Sequence, residues 1–176
     1  MNYSIVYSSK TGNTTALAEA AQAALPQKDC LYFGATAGAG ADAAGADVVF
    51  AGFWTDKGVC DADTTAFLKA LHGKQVFLFG TAGFGQSSAY FDKILDATGQ
   101  SLSPDNKIAG RFMCQGKMPV SIRDRYAKML AADPENKRFQ LFLQNFDVAL
   151  SHPDTDDLAR CRAAVEQAAR ALGLLG

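Results

Sequence analysis

The sequence predicts a doubly wound α/β fold, a five-stranded parallel sheet with helices on both faces. Short, strongly apolar segments alternate along the chain with segments in which apolar residues recur at helical spacing. The apolar segments are nearly continuous, as is typical of parallel strands buried on both faces. No internal repeat or linker divides the 176 residues, so we expect residues 1–176 to form a single domain.

The elements follow in the order that such a fold requires. Strands are predicted at residues 3–7, 29–33, 47–53, 75–81 and 107–114, of which the second is the weakest. Helices are predicted from residue 16 onward and at 64–71, 87–97 and 155–172. Residues 34–46 are almost all glycine and alanine, and they predict a loop with at most a short helical turn. Residues 118–150 predict a helical insertion before the C-terminal helix.

The loop between the first strand and the first helix is predicted to bind a phosphate group. The first N–H groups of a helix are unpaired, and together with the positive end of the helix dipole they attract an anion. Neither G-x-x-x-x-G-K-[ST] nor G-x-G-x-x-G occurs here, which argues against nucleotide hydrolysis and dinucleotide binding. A plain connector rich in helix-capping residues is the alternative. The predicted contacts are Ser8, Ser9, Lys10, Thr11, Gly12, Asn13 and Thr14.

Two further loops carry aromatic residues at the same edge of the sheet. Ligands of doubly wound sheets bind outside the carboxyl ends of the strands, where the strand order reverses. Trp54, the only tryptophan, follows the third strand, and Phe84 follows the fourth. Together with the phosphate loop they predict a flat aromatic ligand held between rings. The predicted contacts are Phe53, Trp54, Thr55, Asp56, Lys57 and Gly58 in one loop, and Thr81, Ala82, Gly83, Phe84, Gly85 and Gln86 in the other.

The run Ser9-Lys10-Thr11-Gly12-Asn13-Thr14 resembles the [ST]-x-T-G-x-T loop of flavodoxins, and the chain resembles that family over residues 3 to about 115 and the final helix. The resemblance implies noncovalently bound FMN, with its phosphate in this run and its ring between the Trp54 and Phe84 loops. It also implies electron transfer to a redox partner protein or a small-molecule acceptor. An FMN-binding electron carrier is favoured, and no catalytic side chain is expected. The alternatives are an FMN-dependent NAD(P)H reductase of a quinone or small tetrapyrrole, and a binding module that has lost the flavin.

The loop after the third strand departs from this family pattern. Many flavodoxins have a glycine directly after the aromatic residue, where a peptide flip accompanies reduction. This chain has Thr55 and Asp56 there, and its glycine comes later, at residue 58. A β-branched residue disfavours a positive φ. Lys57 adds positive charge, which favours the anionic reduced flavin, so we expect electrons to be passed in pairs.

The insertion and the segment before it are rich in basic residues. Between residues 111 and 128, five basic residues face one acidic residue, Asp124. A solvated helix face is one interpretation, and a docking site for an anionic substrate or partner near Gln115, Lys117 and Arg123 is the other. The insertion itself has three interpretations: helices packed on the sheet, a dimer contact or a cap over the flavin. Similar segments occur in flavodoxin-like proteins of anaerobic bacteria, some of them linked to reduction of tetrapyrroles such as bilirubin.

Composition argues against several other classes of protein. The formal net charge is −1 and there is no basic aromatic platform, so no nucleic acid is expected as a partner. No apolar run reaches the length of a membrane span, and no signal peptide is predicted. The four cysteines, without a C-x-x-C pair, indicate free thiols in a reducing cytoplasm, with Cys60 and Cys114 buried and inert near the flavin. We expect a cytoplasmic monomer or homodimer without a metal site, and His72 and His152 on the surface.

Overall fold

The computed structural model describes residues 1–85 and 87–176. Gln86, a predicted flavin contact, lies outside the described residues. The strands are β1 Tyr3–Tyr7, β2 Cys30–Ala35, β3 Val48–Asp56, β4 Val59–Cys60, β5 Gln75–Ala82 and β6 Lys107–Gln115. The α-helices are α1 Asn13–Ala23, α2 Ala41–Gly45, α3 Ala62–Lys69, α4 Ser88–Gly99, α5 Val120–Ala132, α6 Lys137–Ala149 and α7 Thr155–Ala171.

Five of the strands form one parallel sheet in the order β2-β1-β3-β5-β6. This confirms the predicted doubly wound, five-stranded parallel sheet. The short β4 is an addition, paired antiparallel with the end of β3 outside the main path. The chain runs from β1 outward to β2 and then returns to the other side of β1 as β3. A crevice therefore opens where β1 and β3 end, which is where doubly wound sheets bind ligands.

The core consists of two apolar layers, one on each face of the sheet. Neighbouring residues of a strand point to opposite faces, so Phe50 packs in the layer with α1 and α7, while Ala51 packs in the layer with α3 and α4. Leu17 and Val165 represent the helices of the first layer, and Ile94 represents those of the second. Fully burying a side chain such as Leu17 contributes about 1.5–3 kcal/mol. This confirms the predicted helices on both faces of the sheet.

Two local differences from the predicted elements lie where β1 and β3 end. Helix α1 begins at Asn13 rather than near Ala16, because Gly12, at φ 87°, turns the chain into the helix three residues earlier. The segment after Trp54 is a hairpin rather than a loop. Strand β3 continues to Asp56, turns at Lys57 and Gly58 with φ values of 51° and 87°, and pairs with β4. Two consecutive positive φ values are what a two-residue hairpin turn of type I′ requires.

The segment after β6 contains α5 and α6, which pack on each other through aromatic rings. The centroids of Tyr126 and Phe142 are 5.0 Å apart. Helix α6 is capped by Asn136, whose side chain accepts hydrogen bonds from two N–H groups of the first turn. Among the described residues no helix combines the length and apolar character that a membrane span needs.

Candidate functional site

A cavity of about 500 Å³ opens at the carboxyl ends of the central strands. Its volume is in the range of sites for small organic ligands. The structure brings the three predicted loops together around it. Twelve predicted site residues line the cavity: Lys10, Thr11, Asn13, Trp54, Thr55, Asp56, Lys57, Gly58, Thr81, Ala82, Gly83 and Phe84. Six others lie outside its lining: Ser8, Ser9, Gly12, Thr14, Phe53 and Gly85.

The first turn of α1 fits a phosphate group. The N–H groups of Asn13 and Thr14 have no acceptor within the described part of the chain. The N–H of Thr15 donates to Oγ of Ser9 at 3.3 Å. The first turn of α1 carries no acidic residue, and a Cβ added at Gly12 would meet nothing within 4 Å. Free donors, open space and the absence of a competing carboxylate together suit a dianion.

Two other polar groups of this loop are used within the protein. The hydroxyl of Thr14 donates to the carbonyl of Phe53 at 3.2 Å and is buried. It therefore ties α1 to β3. Nδ2 of Asn13 donates to the carbonyl of Lys117 at 2.8 Å, whereas its buried Oδ1 has no partner in the described residues. The side chain of Asn13 thereby ties α1 to the segment after β6.

One wall of the cavity is built around Trp54. Its ring is half-buried, and Nζ of Lys10 lies 4.9 Å from the ring centroid. An ammonium group over an aromatic face is attracted by the ring electrons. The neighbouring Thr55 is held in place because its Oγ1 donates to the carbonyl of Thr81 at 2.8 Å. This wall presents an aromatic face beside a cation, next to the phosphate loop.

A second wall is the loop after β5, which buried amides hold in place. The carbonyl of Gly83 accepts hydrogen bonds from Nε2 of Gln115 at 2.9 Å and from Nδ2 of Asn145 at 3.0 Å. Gln115 also donates to Oδ1 of Asn145 at 3.0 Å, so the two amides brace each other. A Cβ at Gly85 would lie 2.4 Å from Cβ of Gln115, so this position needs glycine. The wall is therefore fixed by β6 and by α6 together.

The sequence left a cap over the flavin open as one interpretation of residues 118–150, but it did not indicate which residues of α5 line the cavity. The missed lining residues are Tyr90, Gly116, Met118, Pro119, Ile122, Arg125 and Tyr126. The spacing of Ile122, Arg125 and Tyr126 predicts a shared helix face, but it does not tell what that face covers. Of the residues proposed to meet an anionic partner, only Lys117 lines the cavity. Arg123 instead lies 3.6 Å from Asp147 of α6.

The lining of the cavity is positively charged, although the chain as a whole is slightly acidic. Four basic residues, Lys10, Lys57, Lys117 and Arg125, line it with one acidic residue, Asp56. The chain has 17 basic and 18 acidic residues, which leaves 13 basic and 17 acidic residues elsewhere. Cations at the mouth favour anionic ligands.

Two expectations about single residues have different outcomes. His72 is exposed as predicted, but the prediction for His152 was wrong, because its side chain is only 24 % exposed and bonds to the buried Asp157. The prediction of buried thiols is confirmed, since Cys60 and Cys114 are each 2 % exposed. Burial raises the pKa of both thiols, which keeps them protonated and unreactive.

The sequence resembles known proteins over most of its length. The sequence profile of the Flavodoxin domain family matches residues 4–166. A flavodoxin-like domain-containing protein BilS of Clostridium symbiosum is 42 % identical over 174 residues, covering 90 % of this chain and 91 % of the relative. The protein of the same name from Clostridioides difficile is 34 % identical over 155 residues, covering 88 % of each chain.

Solved structures show the same architecture at low sequence identity. A flavodoxin of Streptococcus pneumoniae superposes with a TM-score of 0.58 at 16 % identity, covering 97 % of this chain and 99 % of that one. A flavodiiron core of Synechocystis superposes with a TM-score of 0.60 at 16 % identity, covering 98 % of this chain and 36 % of that one. Identities this low establish a common fold and nothing further.

The fold and the site together define a flavodoxin-type, flavin-binding redox protein. The chain belongs to the flavodoxin family.

Proposed function

We propose that this protein binds FMN noncovalently and transfers electrons as a flavodoxin-type carrier. One observation carries the proposal: the first turn of α1, where the N–H groups of Asn13 and Thr14 have no acceptor among the described residues, adjoins a cavity of about 500 Å³ that Asn13 and Trp54 line. FMN, when bound, supplies the redox chemistry, and the protein supplies binding, orientation and local charge.

Different parts of the site would bind different parts of FMN. The first turn of α1 would hold the phosphate through its N–H groups, and Lys10 would add positive charge. Trp54 would cover one face of the flavin ring and exclude water from it. The loop of Thr81 to Phe84 would meet the ring edge, held in place by the amides of Gln115 and Asn145.

Titration of the flavin-free protein with FMN and with riboflavin tests the proposal. Riboflavin has the same ring but no phosphate, so it cannot use the N–H groups of α1. Because hydrogen bonds to charged groups are worth about 1.5–3 kcal/mol each, we expect FMN to bind at least about tenfold more tightly. A Lys10→Ala variant should weaken FMN binding, whereas Lys28→Ala, an exposed lysine far from the cavity, should not. Equal affinities for the two flavins would contradict the proposal. If neither flavin binds, the proposal is also contradicted, and a binding module without flavin is the remaining function.

A second candidate function is favoured by the side of the cavity that α5 builds. Ile122, Arg125 and Tyr126 add apolar surface and a cation to the cavity, as a small-molecule site requires. The corresponding activity is FMN-dependent reduction of a quinone or a small tetrapyrrole, with NADH or NADPH as electron donor. A carrier needs no such lining, because its acceptor approaches the flavin from outside.

Oxidation of NADH or NADPH by the FMN-loaded protein separates the two functions. A reductase oxidises the nicotinamide with either menadione or bilirubin present, and a carrier does not. If Arg125 holds a carboxylate, Arg125→Ala raises KM for bilirubin and leaves KM for the neutral menadione unchanged. Lys128→Ala is the matched control, since Lys128 is exposed on the same helix and does not line the cavity.

A further inference from the structure

A buried carboxylate holds the turn between α6 and α7. The side chain of Asp157 is 2 % exposed, and its oxygens accept from Nδ1 of His152 at 2.5 Å, from the N–H of Asp154 at 3.0 Å and from Arg160. An ionised carboxylate has no hydrogen to donate, so in a pair with ionised Asp157 the donor is Nδ1 of His152. Asp157 thus fixes the position of His152.

The backbone of His152 is linked by a hydrogen bond to Lys117, which lines the cavity. The carbonyl of His152 accepts from the N–H of Lys117 at 2.9 Å. The carbonyl of Lys117 in turn accepts from Nδ2 of Asn13 at 2.8 Å and from Oγ1 of Thr11 at 3.4 Å. These contacts join three segments that are distant in the sequence, and they end at the loop where α1 begins.

The neighbouring residue shows how closely these segments fit. A Cβ at Gly116 would lie 2.5 Å from Nδ2 of Asn13, so only glycine allows the backbone to pass there. The N–H of Gly116 donates to the carbonyl of Ala82 at 2.9 Å, which aligns the segment with the end of β5. Position 117 is therefore set from two sides, by β5 and by His152.

We propose that His152 is a positioning residue for phosphate recognition. The hydrogen bond to Asp157 fixes the position of His152, and the carbonyl of His152 then fixes the backbone of Lys117. The carbonyl of Lys117 in turn holds the side chain of Asn13. This orients the N–H groups in the first turn of α1 toward one bound phosphate. The inference rests on the proposed binding of FMN. It assigns to the α6–α7 turn a part in selecting phosphorylated over unphosphorylated flavin.

The test compares FMN and riboflavin binding in matched variants. His152→Leu removes the donor to Asp157, whereas His152→Asn keeps an N–H donor near the position of Nδ1. The control is His72→Leu, because His72 lies 3.4 Å from Asp105 in a second His–Asp pair that precedes β5, at the opposite edge of the sheet. Circular dichroism confirms that each variant is folded. Asp157→Asn, which keeps the size of the side chain, replaces His152→Leu if that variant does not fold.

We expect His152→Leu to lower the affinity for FMN about fivefold, the effect of one lost hydrogen bond, and to leave riboflavin binding unchanged. His152→Asn should restore most of the preference for FMN, and His72→Leu should not alter it. Hydrogen exchange without flavin gives an independent measurement. In His152→Leu, exchange should speed up at residues 8–14 as well as at the turn itself.

Other results would overturn the inference. An unchanged ratio of the two affinities in His152→Leu, an equal loss for both flavins, or faster exchange confined to residues 150–157 would each show a role limited to the α6–α7 turn. If the unmodified protein already binds FMN no better than riboflavin, the proposed function fails, and this inference fails with it. A normal preference for FMN that survives His152→Leu overturns the inference alone.

Discussion

The ring of Phe142 on α6 meets the ring of Phe84 edge to face, with 5.6 Å between centroids and 75° between planes. Phe84 belongs to the loop after β5 that lines the cavity. One turn further along α6, Asn145 donates to the carbonyl of Gly83 in the same loop. Helix α6 therefore supports the cavity wall from behind, because it holds this loop by a ring contact and a hydrogen bond.

Replacing Phe142 should therefore affect both stability and flavin binding. Phe142→Ala removes contacts to Phe84 and Tyr126, and we expect the free energy of unfolding to fall by about 2–3 kcal/mol. The affinity for FMN should fall as well, because the Phe84 loop loses its support. Urea unfolding and FMN titration measure the two effects. Leu141→Ala is the control, since Leu141 is 60 % exposed and should change stability by less than about 0.5 kcal/mol. Equal effects of the two variants would contradict the prediction.

Trp54 should report flavin binding directly, because it is the only tryptophan and lines the cavity. Stacking of a flavin on its ring should quench its fluorescence as FMN is added. Trp54→Ala should weaken FMN binding about tenfold, which is the order of an aromatic stacking contribution. Trp54→Phe should retain most of the affinity. Fluorescence that stays constant while FMN absorbance shows binding would place the flavin away from this wall.

Reduction of the bound flavin should take up two electrons in one step. The backbone after Trp54 is held by pairing of Thr55 and Asp56 with β4 and by the hydroxyl of Thr55, so it cannot rearrange cheaply. The positive φ values lie at Lys57 and Gly58, in a turn that is already formed. Anaerobic titration with dithionite measures the number of steps, and a persistent blue colour at half reduction would contradict this prediction.

The charge of Lys57 should raise the midpoint potential of the flavin. Lys57 lines the cavity, and a cation there favours the anionic reduced state. An exposed charge contributes less than about 1 kcal/mol, so Lys57→Glu should lower the two-electron potential by about 5–20 mV. Lys69→Glu is a control with the same charge change outside this cavity. Equal shifts in both variants would show an effect of net charge rather than of position.

The buried cysteines should be unreactive in the folded protein. Burial raises the pKa of the Cys60 and Cys114 thiols and raises that of Cys161 to about 12, so their reactive thiolate forms are scarce at pH 8. Cys30 is half-buried. A thiol reagent at pH 8 should therefore modify at most one thiol rapidly, and all four after unfolding. Cys30→Ser should abolish the rapid reaction, and two rapidly reacting thiols in the folded protein would contradict the burial.

The sheet could be predicted because its signal is local. Strands such as β5 are continuous apolar runs, and burial on both faces leaves few other structures for them. Strand β4 was missed because two residues carry no periodic pattern and because the turn signal of Lys57 and Gly58 was not recognised. The start of α1 was placed too late because Asn13, Thr14 and Thr15 have low helix propensity. The turn at Gly12 and the hydrogen bond from the N–H of Thr15 to Oγ of Ser9 outweigh this low propensity.

The site could be predicted only where topology alone determines it. Loops that follow parallel strands must meet at one edge of the sheet, so the sequence places Lys10, Trp54 and Phe84 together. The contribution of α5 depends on how a helix after the last strand folds back, and no local pattern encodes that. The same is true of His152, whose burial depends on a carboxylate in the next helix and on the backbone of Lys117.

The uneven distribution of charge gives this molecule an electric dipole. Its cavity rim is the positive pole, while the acidic excess is spread over the remaining surface. An anionic ligand or partner is attracted to the rim and repelled by the remaining surface. It is therefore steered into an orientation that faces the cavity before contact. Dissolved ions screen this attraction beyond about 10 Å at 0.1 M ionic strength. The association rate should therefore fall as the ionic strength rises.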